Sequence, residues 1–158
     1  VAACAAMAAG AWLALHGKDI SEILENMVEA AKKYDPATSK LIKNAITYSK
    51  TNPSEKELRH YLEKLEGRLG NQAIAATACV LAYEHKSFTR AMYLASNFYG
   101  DSDSVACMVG AILGAHLGIE NLYSDKLRKN WIEHLEDKNK LLKLATGFYT
   151  QRKKSLQQ

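Results

Sequence analysis

The sequence predicts an all-α fold: a compact orthogonal bundle of roughly eight or nine helices with Ala- and Gly-rich helices at its centre. Three observations carry that expectation. Apolar residues recur at three- and four-residue spacing along most of the chain. Ala, Leu and Lys are abundant while Pro occurs only twice, a composition that favours helix over sheet. No stretch alternates convincingly in the two-residue rhythm of a strand. With 158 residues, 47% of them hydrophobic, the chain can bury a sizeable core. Residues 1–158 therefore read as a single helical domain.

The elements follow in order. Val1 to Leu15 carries no charge, like the core of a signal peptide. No basic segment precedes it, and it falls short of the roughly 20 residues that span a bilayer. The chain has no initiator Met, so the expectation is a piece of something longer. Ile20, Ile23, Leu24, Met27, Val28, Ala31 and Tyr34 share one helix face, and Asp35-Pro36 is expected to end that helix. Leu41, Ile42, Ala45 and Ile46 mark a second amphipathic helix that stops at Thr51-Asn52-Pro53. Ser54 caps the next, with Glu57 at the capping-box position and Leu58, Tyr61, Leu62 and Leu65 inward. Gly67 to Gly70 closes it. Helices are then expected over Asn71–Glu84, Phe88–Phe98, Val105–His116, Leu127–Leu135 and Leu141–Tyr149.

Charge and cysteine content exclude several classes of function. The net charge of +4 is spread out, with Lys and Arg alternating with Glu and Asp as on solvated helix faces. Only Arg152-Lys153-Lys154 approaches the basic stripe of a nucleic-acid footprint, so neither nucleic acid nor a membrane is expected as partner. Cys4, Cys79 and Cys107 sit in Ala-rich apolar runs. They read as small buried filler with free thiols, which points to a reducing, cytoplasmic location. His16, His60, His85, His116 and His134 show no zinc spacing, with His60, His85 and His134 expected to be exposed. Trp12, Tyr83, Phe88, Phe98 and Trp131 fall mostly at core spacings.

One segment carries chemistry. Tyr99-Gly100-Asp101-Ser102-Asp103-Ser104 runs directly into an apolar helix in which Ala106, Gly110, Gly114 and Gly118 recur every fourth residue. Asp and Ser are good helix N-caps, and acids in the first turn favour the macrodipole, so capping alone could explain them. Carboxylates two residues apart in an irregular turn can equally converge on a hard cation, with a hydroxyl adding a further oxygen. Interior glycines each cost about 1 kcal/mol against Ala, which suggests that another backbone or a ligand comes close. Tyr99 is the aromatic placed to stack on a planar ligand.

This run resembles the C-terminal signature of the ADP-ribosylglycohydrolase family. That signature has a Gly-Gly-Asp-Thr/Ser-Asp-Thr turn and a following helix ending in Gly-Ala-x-x-Gly-Ala-x-x-Gly. Here the matching residues are Gly100-Asp101-Ser102-Asp103-Ser104 and Gly110-Ala111-Ile112-Leu113-Gly114-Ala115-His116-Leu117-Gly118. Tyr99 replaces the first glycine, and Ser104 replaces Thr while keeping its hydroxyl. The preceding Phe88–Phe98 helix and the later Trp131-centred one follow the same order. The resemblance implies an all-α fold of which this chain is the C-terminal half. It implies two magnesium ions, with Asp101, Asp103 and Ser104 as ligands. It further implies Asp101 and Asp103 as the catalytic acids, with Tyr99, Gly100 and Ser102 at the substrate. The substrate implied is ADP-ribose or an ADP-ribosylated protein. The family's N-terminal Thr-Asp-Asp-type motif has no counterpart here, so the chain would hold one side of a dinuclear site. A missing N-terminal half or a second copy would complete it. The alternative is a non-catalytic helical module derived from the same family.

Overall fold

A computed structural model describes residues 1–124 and 126–155, with side chains as far as 151. The side chains of Arg152, Lys153 and Lys154 therefore lie outside the described part. Among the described residues every regular element is a helix, as the composition predicts. They are α1 (Ala2–Leu15), α2 (Ile20–Lys32), α3 (Pro36–Lys50), α4 (Glu55–Leu65), α5 (Gly70–Tyr83), α6 (Phe88–Ser96), α7 (Ser102–Tyr123), α8 (Lys126–Glu133) and α9 (Lys138–Ser155). The chain divides into two compact units, Val1–Ile119 and Glu120–Gln158. The α7 helix is interrupted near that boundary, where Gly118 takes φ 75° and breaks the helical path.

The first unit is built around α5. Its nine successive residues Ala73 to Leu81 are all buried, so small side chains let neighbours approach from every side. Ile74, Val80 and Leu81 are wholly buried there, and each such side chain contributes about 1.5–3 kcal/mol over an exposed one. The α3 helix packs closely on α5, and α1, α2, α4 and α6 adjoin it as well. Hydroxyls inside this core are satisfied locally: Thr77 Oγ1 donates to the Ala73 carbonyl at 2.9 Å, and Ser49 Oγ donates to the Cys79 carbonyl at 2.8 Å.

Caps fix the helix boundaries. Asp19 accepts the Glu22 N–H at the start of α2. Asp35 accepts the N–H groups of Ala37 and Thr38, with Pro36 in the first helical turn. Asp35-Pro36 thus starts α3 instead of ending α2, which already stops at Lys32 and leaves Tyr34 exposed. The Ser54/Glu57 capping box forms as expected, with Glu57 Oε2 accepting the Ser54 N–H at 2.8 Å.

Three side-chain expectations are corrected. Only Cys79 of the three cysteines is buried; Cys4 and Cys107 are exposed on helix faces that no described residue covers. All three are free thiols. Trp12 is 55% exposed and lies against His16 rather than in the core. His85, expected to be exposed, is half-buried with its Nδ1 shielded from solvent.

By length and composition α7 is apolar enough to cross a membrane. Val105, Val109, Ile112 and Leu113 on its inner side are buried within the first unit. In the second unit, Trp131 and the apolar residues of α9, among them Leu141, Leu144 and Phe148, are exposed.

Candidate metal centre

The acidic turn is held by backbone contact between two loops. At the end of α4, Glu66 adopts φ 56° and Gly67 φ 74°, which reverses the chain and turns the Glu66 carbonyl outward. That carbonyl accepts the Asp101 N–H at 2.7 Å. Gly100 sits at φ 152°, and a Cβ there would lie 2.2 Å from the Glu66 oxygen. The turn can close only with glycine at that position. A Cβ on Gly67 would in turn press on Val105 at 3.2 Å. Phe98, just before the turn, is buried and anchors it from below. The Arg90–Glu55 ion pair at 3.5 Å ties α6 to α4, the two helices that flank the loops.

The turn brings the two acids together. Asp101 immediately precedes α7, and its carbonyl accepts the Val105 N–H at 3.2 Å. Asp103 lies in the first helical turn. Its carboxylate lies beside that of Asp101 and close to the backbone N–H groups of Ser104 and of Asp103 itself. These neighbours hold its pKa below the ordinary carboxylate range, the Asp101 contact contributing most. As the acid in the first turn of α7, Asp103 also sits where a negative charge favours the helix dipole, the structural role its position allows.

Accessibility suits a ligand. Asp103 and Ser104 are exposed, Asp101, Ser102 and Gly100 are half-buried, and the Tyr99 ring is 73% exposed beside them. The oxygen-only donor set fits a hard cation such as magnesium in kind, though not in number. Among the described residues no group of three or more His, Cys, Asp or Glu side chains could hold a metal ion. The two acids of the turn fall short of such a group.

The glycine spacing of α7 has a packing explanation at one position. A Cβ on Gly110 would stand 3.3 Å from the Met92 sulfur, so this glycine admits the side chain of α6. The part the sequence reading missed is the Glu66–Gly67 turn. Its signal was present, a glycine directly after a capped amphipathic helix, but nothing in the sequence pairs it with a segment more than thirty residues away.

The profile of the ADP-ribosylglycohydrolase family matches residues 1–157. A protein of Archaeoglobus fulgidus described as uncharacterized is 28% identical over 128 residues, which cover 81% of this chain and 38% of that protein. The match thus spans well under half the length of that relative. No solved structure matches the chain significantly. Over nearly its whole length, acidic turn included, the chain belongs to the ADP-ribosylglycohydrolase family.

Proposed function

We propose that the chain contributes one side of the active site of a magnesium-dependent hydrolase. The bond cleaved joins ADP-ribose to a modified protein side chain or a related acceptor. The observation that carries this reading is the accessible turn that presents Asp101 and Asp103, clamped by the Glu66 carbonyl, within a chain of this family. Asp103 and Ser104 present their oxygens to solvent, while Asp101 is fixed from behind by its N–H bond to Glu66. Asp101, Asp103 and Ser104 are the residues of this chain that would hold the metal, through two carboxylates and one hydroxyl.

When bound, magnesium supplies charge that orients ribose hydroxyls and activates water. The chain's own contribution is positioning. The Gly100 turn sets the two carboxylates side by side, and the exposed Tyr99 ring offers a stacking face for a planar group of the substrate. Bond cleavage at the anomeric carbon is assigned an oxocarbenium-like transition state, which adjacent carboxylates stabilise electrostatically. The remaining ligands come from outside this sequence, supplied by further chain or by a second copy. A cytoplasmic location belongs to the same proposal.

Magnesium titrated calorimetrically into the protein as its source encodes it, and into the Asp103→Ala form, tests the ligand assignment. The substitution is expected to weaken binding at least about tenfold, and to stop release of ADP-ribose from ADP-ribosylated peptides. Unchanged affinity and stoichiometry would overturn the reading.

A further inference from the structure

A concave site lies between α2 and α3, away from the acidic turn. It is a half-open cavity of about 610 Å³, within the range of small-molecule sites. It adjoins the C-terminal end of α5, whereas the Glu66–Gly67 turn precedes the N-terminal end. A helix of 14 residues separates those ends by roughly 20 Å.

The walls of the cavity are chemically different. A short link joins α2 to α3, and Ser39 Oγ donates to the Val28 carbonyl at 2.9 Å, so the two helices run antiparallel. On α2 the lining residues Ser21, Glu25 and Glu29 recur every fourth residue, which places both carboxylates on one rail. On α3 the facing rail is Lys43, Thr47 and Lys50. The floor between them is apolar, formed by the buried Leu24 and Ile46 with Ala82. Among the described residues, neither lysine forms an ion pair, and of the two glutamates only Glu29 does, with Lys32 at 3.8 Å.

His85 closes the end at which α3 finishes and α2 begins. Its loop is fixed: Glu84 Oε1 accepts the Lys86 and Ser87 N–H groups at 3.0 and 3.1 Å, and Ser87 caps α6. The His85 Nδ1 is shielded from solvent and has no hydrogen-bond partner. That nitrogen is out of reach from the cavity, so His85 lines this end with the rest of its half-buried ring. Antiparallel packing therefore gives the cavity a polarity. One end offers Lys50, His85 and the Ser21 hydroxyl; the other offers Glu25 and Glu29, with Lys43 opposite them.

We propose that this cavity binds a short zwitterion with an apolar body, of amino-acid to dipeptide size. The anionic group meets Lys50 and His85, the cationic group meets Glu25 and Glu29, and the apolar body lies on Leu24 and Ile46. The proposal stands apart from the hydrolase reading, since it uses none of the residues of the acidic turn.

The probe is the dipeptide Leu-Leu, titrated into the full 158-residue chain and followed by amide ¹H–¹⁵N shifts. Its N-acetyl form lacks the cation and its C-terminal amide lacks the anion. Shifts are expected on α2, α3 and His85 and not at Asp101–Ser104, with both modified peptides at least about fivefold weaker. Lys50→Met is expected to weaken Leu-Leu by a similar factor while leaving the C-terminal amide unaffected. Glu25→Gln with Glu29→Gln is expected to weaken Leu-Leu but not the N-acetyl form. These side chains are exposed, and an otherwise unchanged amide spectrum confirms folding of each variant. No shifts in the cavity at about 20 mM Leu-Leu, where a site of useful affinity is saturated, would overturn the proposal. So would equal binding of all three peptides.

Discussion

The α5 core and the Tyr99–Ser104 turn are held in place by opposite means. The core helix is specified redundantly: nine successive residues are buried, and its neighbours meet it on several faces. The turn rests on one carbonyl, one N–H and two glycines of unusual φ, at Glu66, Asp101, Gly67 and Gly100. A packed interior spreads its stabilisation over many weak contacts. A site that must present two carboxylates at a fixed place has few contacts to use, and those contacts are backbone ones that tolerate little change.

The comparison can be pressed at several points, beginning with the largest effect. Leu81→Ala in the core is expected to cost about 3–4 kcal/mol through lost burial and the cavity left behind. Thermal unfolding should show a fall in Tm of roughly 10 °C, with the amide signals of Asp101–Ser104 little changed in the folded state. A loss under about 1 kcal/mol would mean that the core relaxes freely, contrary to its close packing.

Gly100→Ala should cost less, about 2 kcal/mol, yet act where the first variant does not. The new methyl must displace the Glu66 carbonyl, so the Asp101 N–H loses its partner. Large amide shifts confined to 66–67 and 99–105 are expected. A spectrum unchanged in those segments would show that the turn is not held by this close approach.

Asp35 offers a milder test through pH. Hydrogen bonds from the Thr38 hydroxyl, the Thr38 N–H and the Ala37 N–H hold its carboxyl below the usual 3.8. A depressed folded pKa means that its stabilisation is fully present above the unfolded value and is lost as pH falls through the folded one. Asp35→Ala should therefore lower Tm by roughly 3 °C at pH 6. The difference should vanish in strong acid. A gap that stays constant with pH would remove the capping carboxylate as its cause.

The smallest perturbation is chemical rather than structural. Burial pushes the Cys79 thiol up to about 11, with the Ser49 hydroxyl partly offsetting it, whereas Cys4 and Cys107 are exposed. A thiol reagent at pH 8 should modify two groups quickly and the third only on unfolding. Rapid reaction of all three would mean that the core around Cys79 opens readily.

Much of the fold was legible because helix formation reports itself locally. Ser54 and Glu57 announced a capping box, and the Ile23–Met27 spacing announced the buried face of α2. Asp35 was misread because an acid before proline signals both the end of one helix and the start of the next. The cysteines and Trp12 were misplaced for a related reason. An uncharged helix such as α1 gives no pattern from which to tell its inner face from its outer one.

The sequence by itself determined the helices, the Ser54/Glu57 capping box and the family, since each is written in residues and motifs along the chain. Only the tertiary structure decided that the Glu66 carbonyl clamps Asp101, that Gly100 is required by a second backbone, and that Met92 fills the gap at Gly110. It alone set the Glu25/Glu29 and Lys43/Lys50 rails opposite one another. These are contacts between segments remote in sequence, and helical periodicity records that a face is buried without recording what lies against it.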